Sequence, residues 1–179
     1  LLRSTTPINS PSEKNTADIT MLTIVTLVWI IGGLIFISVH LISYSHYKRQ
    51  VIKKGKMIKE TRIVSQIFRL KRELHISRTV RVMEYDKAES PMIIGFLKPV
   101  LVLPKEHYDS EDLFFILKHE LVHLKRGDIY LKLLFVIANA VHWFNPVIWI
   151  MQKEAVIDME LSCDERVTRG TSFALRKAY

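Results

Sequence analysis

His119 and His123 stand four residues apart and Glu120 directly follows the first, in the run His119-Glu120-Leu121-Val122-His123. Side chains at i and i+4 lie on one face of a helix, so both imidazoles can reach one metal ion with a carboxylate beside them, over a bound water. The chemistry this suits is zinc-dependent peptide hydrolysis, with Zn2+ as the expected cofactor. Glu120 is then the general base, taking a proton from water and later delivering it to the leaving amine.

A catalytic zinc keeps three protein ligands and one open position, so a third ligand must come from elsewhere in the chain. Glu160 is the best candidate. It stands four residues before Asp164, so the two face the same way on a helix. Asp164 is expected to accept a hydrogen bond from a ligand histidine and so fix its tautomer. Glu154, Asp158 and Cys163 are rivals. Cys163 is the single cysteine, which excludes an internal disulfide, and a lone helical cysteine is more often a small buried hydrophobe than a ligand. The oxyanion formed on peptide hydrolysis needs a further donor. His142 and Tyr130 are the candidates, and the sequence does not choose between them.

These residues must be positioned by elements that the hydropathy pattern outlines. A chain of 179 residues, 49% of them hydrophobic, allows one domain with a real core. Residues 1–18 are polar and read as an extracellular loop or flexible end. Residues 19–42 carry no charge, and 24 helical residues cross about 30 Å of hydrocarbon, so 19–43 is expected to be a transmembrane helix. The net charge is +8, and residues 44–82 hold twelve Lys/Arg against two Glu. Basic charge directly after a span follows the positive-inside pattern and suits anionic headgroups. It also makes direct nucleic-acid binding an unnecessary reading, since no recognition module accompanies it. A chain beginning at Leu1 without an initiator methionine is expected to be a piece of a longer protein.

Beyond the basic segment, apolar spacing predicts an amphipathic helix over 63–74 and a short strand over 79–83. A hairpin is expected from residues 91–96 and 100–104. In it Val100, Leu101, Val102 and Leu103, bracketed by Pro99 and Pro104, read as an edge strand able to accept an extended peptide. A helix capped by Asp109 or Ser110 and stopped by Gly127 carries both histidines. The apolar run 129–151 is long enough to cross once, but a crossing would part His119 and His123 from Glu160 by about 30 Å, against a zinc bond of about 2 Å. The run is therefore expected to fold as a membrane-associated hairpin. One helix ends near 141, the corner spans 142–146, and a second helix continues past Glu160. The expected fold class is mainly α with a small β element, and 44–179 are expected to form a cytoplasm-facing zinc peptidase domain.

With these residues placed, the chain resembles the membrane-embedded zinc peptidase domain of the β-lactam sensor-transducers, the antirepressor family of penicillinase and methicillin-resistance regulation. The resemblance runs from about residue 44 to 169. It is carried by Gly95-Phe96, Pro99 to Pro104, the histidine motif, Arg126-Gly127-Asp128, His142-Trp143-Phe144-Asn145-Pro146 and Glu160 with Cys163-Asp164-Glu165. It implies a gluzincin-like fold, ligands at His119, His123 and Glu160, and a catalytic glutamate at Glu120. It also implies a multi-pass cell-membrane protein whose extracellular β-lactam-binding sensor domain lies outside this chain. The expected partners are the bilayer, a repressor-like cytoplasmic protein substrate and the chain itself, with a homo-oligomer left open. A housekeeping membrane zinc protease and a non-catalytic signalling scaffold with a structural zinc are the competing readings.

Overall fold

A computed structural model describes residues 12–106 and 108–169. Helix α1 runs unbroken from Ser12 to Lys54. It extends the expected span at both ends, so residues 12–18, expected in a loop, are helical. Its middle is apolar on all sides and exposed, from Ile19 and Leu22 through Ile30 and Leu34 to Ile42. Among the described residues it is the one helix long and apolar enough to cross a membrane. A helix apolar all round needs a nonaqueous surround to hide its surface.

The rest of the chain is mostly helical around a small mixed sheet. In order come β1 (Lys56–Met57), α2 (Thr61–Glu73), β2 (Arg81–Glu84), β3 (Met92–Ile94), β4 (Val100–Leu103), α3 (Ser110–Arg126), α4 (Asp128–Val141) and α5 (Pro146–Thr168). The sheet order is β1-β2-β4-β3. Strand β4 pairs parallel with β2 and antiparallel with β3.

This order corrects the edge assignment of Val100, Leu101, Val102 and Leu103. All four are 1% exposed or less, because both faces of β4 are covered. Leu101 and Leu103 join Ile63, Ile67 and Leu70 of α2 and Leu113, Leu117 and Leu121 of α3 in one cluster. Val100 and Val102 join Val51 of α1, Met83 and Ile94 in another. A strand buried on both faces reads as a continuous aliphatic run rather than an alternating one. The prolines lie outside the ladder, and Pro99 even contributes, its carbonyl accepting from Arg81 N at 3.2 Å. The edges are β1 and β3.

The apolar run after α3 folds as two helices and a corner. Gly127 takes a left-handed conformation (φ 75°) and turns α3 directly into α4, a geometry that costs glycine least. Asn145 caps α5, its side chain accepting from Val147 N at 3.0 Å, with Pro146 in the first turn. The corner docks on α1 through two indoles: Trp29 Nε1 donates to the Val141 carbonyl at 2.7 Å, and Trp143 Nε1 donates to the Trp29 carbonyl at 3.2 Å. Gly33 faces the Ala140 carbonyl so closely that a Cβ there would lie 2.8 Å from it. Asp109 holds the cap position of α3, but its side chain makes no capping bond. The expected stop at Gly170 and the further helix over 171–179 lie outside the described residues.

Candidate metal centre

Helix α3 carries both histidines in its last two turns, and their rings meet edge to face with centroids 4.6 Å apart. Their Nε2 atoms are 2.9 Å apart. Helix α5 packs on α3 through Cys163 and Val167 against Phe115 and Val122. That packing delivers Glu160, whose Oε2 lies 3.1 Å from His123 Nε2 and 3.4 Å from His119 Nε2.

The opposite ring atoms are also held. His119 Nδ1 is 3.1 Å from Asp164 Oδ1, and His123 Nδ1 is 2.6 Å from Asp128 Oδ2. A neutral imidazole that donates from Nδ1 presents a lone pair at Nε2. Two lone pairs and a carboxylate oxygen thus converge on one point, an arrangement that repels itself unless a cation sits among them. Ligands about 2.05 Å from a tetrahedral zinc are about 3.3 Å apart, so the three donors fit this ion in type and in spacing.

Asp128 is the participant that the motif did not reveal. It begins α4, one residue beyond Gly127, and is buried. Its other oxygen lies 3.3 Å from Arg126 Nε, and Arg126 also donates to the Met159 carbonyl on α5 at 3.1 Å. One guanidinium therefore ties the orienting carboxylate to the helix that brings Glu160. The signal was present in Arg126-Gly127-Asp128, since a glycine that reverses the chain returns the next side chain toward the end of α3.

Cys163, with His119 and His123, forms a second group of donors all within 4.8 Å of one another. Its thiol is fully buried and donates to the His119 carbonyl at 3.6 Å. Burial pushes its pKa up to about 12, which disfavours the thiolate a metal would need. Glu160 already turns one oxygen to both histidines and is the better third donor. Glu154 and Asp158 are exposed on α5 and line no part of the cavity at the histidines. Glu165 pairs with Arg169 at the surface.

Beside the histidines opens a cavity of 520 Å³ whose walls include Glu120, Glu160 and the β3 edge at Ile93. Burial pushes the Glu120 carboxyl up to about 7, against the pull of His123 and Lys132 and a hydrogen bond from the Ile93 backbone. A carboxyl poised near neutrality is suited to general-base work.

Neither proposed oxyanion donor lines this cavity. The Tyr130 hydroxyl sits 3.3 Å from Arg78 Nη2 and its ring faces Phe96. His142 is exposed at the corner that ends α4. Both lie on the wrong stretch of α4: Tyr130 is two residues past Asp128, on a different face, and His142 is almost four turns away.

The chain matches the family model described as BlaR1 peptidase M56 over residues 3–179. It is 30% identical over 155 residues to the regulatory protein BlaR1 of Bacillus licheniformis, an alignment covering 85% of this chain and 26% of that protein. It is 25% identical over 167 residues to the methicillin resistance mecR1 protein of Staphylococcus aureus, covering 88% of this chain and 27% of the relative. The chain spans about a quarter of the length of the curated relatives it matches.

Proposed function

Since the chain belongs to the BlaR1 peptidase M56 family, a metallopeptidase family, we propose that it is the zinc endopeptidase unit of a β-lactam sensor-transducer, cleaving itself or a repressor-like protein at the cytoplasmic membrane face. One observation carries this reading: His119, His123 and Glu160 converge within 3.4 Å of one another at a cavity that Glu120 also lines. The gluzincin-like assignment rests on the same set, two histidines of one helix and a glutamate from a later one.

Zinc, when bound by His119, His123 and Glu160, supplies a Lewis acid that acidifies water and polarises the scissile carbonyl. The protein's own groups do the rest. Glu120 takes a proton from the attacking water as its oxygen bonds to the carbonyl carbon and the C=O pair moves onto oxygen. The same carboxyl returns the proton to the nitrogen as the C–N bond breaks. Asp128 and Asp164 hold the imidazoles in the tautomer that leaves Nε2 free. The substrate lies along β3, the open edge beside the cavity, by strand addition.

Helix α1 anchors this unit in the cell membrane, with the α4–α5 corner docked at the depth of Trp29 and Gly33 and the basic segment after α1 at the cytoplasmic headgroups. The β-lactam signal comes from a sensor domain elsewhere in the full-length protein, and the +8 charge serves lipid rather than nucleic acid. Loading the chain with zinc in lipid vesicles and following cleavage of a repressor protein tests the reading. Cleavage should stop on chelation and in Glu120→Ala, and a Glu120→Ala form with full activity overturns it.

A second reading has its own observation. Cys163 lies with the two histidines, and its ligation together with Glu160 would close the site to four protein ligands, as in a structural zinc of a signalling scaffold. Such a site binds zinc equally well and cleaves nothing.

A further inference from the structure

One wall of the cavity beside the histidines carries a lysine. Lys132 is on it, together with Asp128 and Ile129 of the same helix. Residues 128 and 132 share one face of α4, about 6 Å apart along its axis. Asp128 is held against His123 at 2.6 Å, so the face that bears Lys132 is fixed relative to the metal donors. The β3 edge lines the same cavity through Ile93, whose backbone hydrogen-bonds Glu120. A peptide laid along β3 therefore enters the cavity that Glu120 and Lys132 both line.

The nearest carboxylates of the centre, Asp128 and Glu160, are engaged elsewhere. The two oxygens of Asp128 serve His123 and Arg126, and Oε2 of Glu160 faces both histidines. Lys132 and Glu120 line the same cavity as both histidines. Among the described residues lining the cavity it is the single Lys or Arg. The two residues whose type suited an oxyanion donor, Tyr130 and His142, are not there.

We infer that Lys132 is a catalytic residue of the peptidase, its ammonium donating to the scissile carbonyl oxygen as that oxygen takes up negative charge. This rests on the peptidase reading above and adds to it the group that meets the developing charge. Such a donor acts on the transition state more than on the bound peptide. Lys132 is also exposed and lies in an apolar helix beside the proposed membrane anchor. The competing role is that of a lysine reaching for lipid headgroups.

The test uses the full 179-residue chain, zinc-loaded in lipid vesicles, as wild type, Lys132→Met, Lys132→Arg and Glu120→Ala. Lys132→Met should bind zinc as wild type does and lose about 10²- to 10³-fold in kcat with KM changed little. Lys132→Arg should recover a large part of that loss. A phosphinic peptide, a tetrahedral mimic built on the cleavage site mapped with wild type, should bind Lys132→Met weaker by a similar factor. The parent peptide, measured on Glu120→Ala with and without Lys132→Met, should bind alike. An unchanged affinity for the phosphinic peptide, or a rise in KM alone, overturns the role of Lys132 while the peptidase reading stands. A wild type that takes up zinc and cleaves nothing overturns both.

Discussion

Asp128 Oδ2 stands 2.6 Å from His123 Nδ1, across a joint one residue long between α3 and α4. The contact selects the ring tautomer that exposes Nε2 to the metal position. Asp128→Ala should therefore weaken zinc binding by about 10- to 100-fold, the usual cost of losing such an orienting carboxylate. Competition against a chelator of known affinity measures it. An affinity equal to wild type would mean that Arg126 and the helix alone hold His123 in place.

Glu120 should separate binding from turnover. Glu120→Gln keeps the shape of the side chain and loses the base. It should retain zinc while turnover falls by about 10²- to 10⁴-fold. Metal analysis and peptide cleavage on the same sample give both readings.

The raised Glu120 carboxyl also predicts a pH dependence of stability in the metal-free chain. Its pKa is about 7 in the fold against an ordinary glutamate value of 4.5, so between these values the folded chain binds more protons than the unfolded one. Stability from this group is full below about 4.5 and is lost as pH rises through about 7. The loss is on the order of 3 kcal/mol. Glu120→Gln should flatten that slope in chemical denaturation of the zinc-free protein across this range.

On the β3 edge, the Ile93 backbone donates to Glu120. Ile93→Pro removes that donor in an edge strand, where proline is tolerated. The fold should persist, as read by circular dichroism, while KM for a peptide substrate rises by about tenfold. An unchanged KM argues that substrates do not use this edge.

Gly33 tests the docking of α1 on the hairpin. A Cβ there meets the Ala140 carbonyl at 2.8 Å, and a backbone atom cannot swing aside. Gly33→Val should destabilise the packed state by about 1–3 kcal/mol and abolish a disulfide crosslink engineered between Trp29 and Val141. Persistence of the crosslink would mean that the docking does not depend on the close approach at Gly33.

The parts of this protein that are legible in its sequence are those decided by local geometry. His119 and His123 share a face because any helix makes them do so, and the turn at Gly127 and the break at Asn145-Pro146 follow from backbone preferences of single residues. The corner over 142–145 is legible for another reason: bilayer thickness and metal-bond length are incompatible with a straight crossing. What escapes is nonlocal. Strand β4 reads as an edge because its parallel partner β2 lies across an intervening strand, and flanking prolines look the same for an edge or a centre. Strand β1 is two residues inside a basic run, with no pattern to reveal it. Asp128 and Lys132 look ordinary because their roles depend on the direction in which α4 leaves Gly127.

That one-residue joint sets how the centre assembles. His119, His123 and Asp128 are encoded within ten consecutive residues, so this half of the centre closes almost no loop and loses little chain entropy as it forms. Glu160 and Asp164 arrive only when α5 folds back on α3. An ion that bridges the early half to the late half then acts as a rivet between the two helices, and its binding energy becomes docking energy for α5. Removing the ion should leave α3 and its histidines ordered while α5 comes loose at its far end.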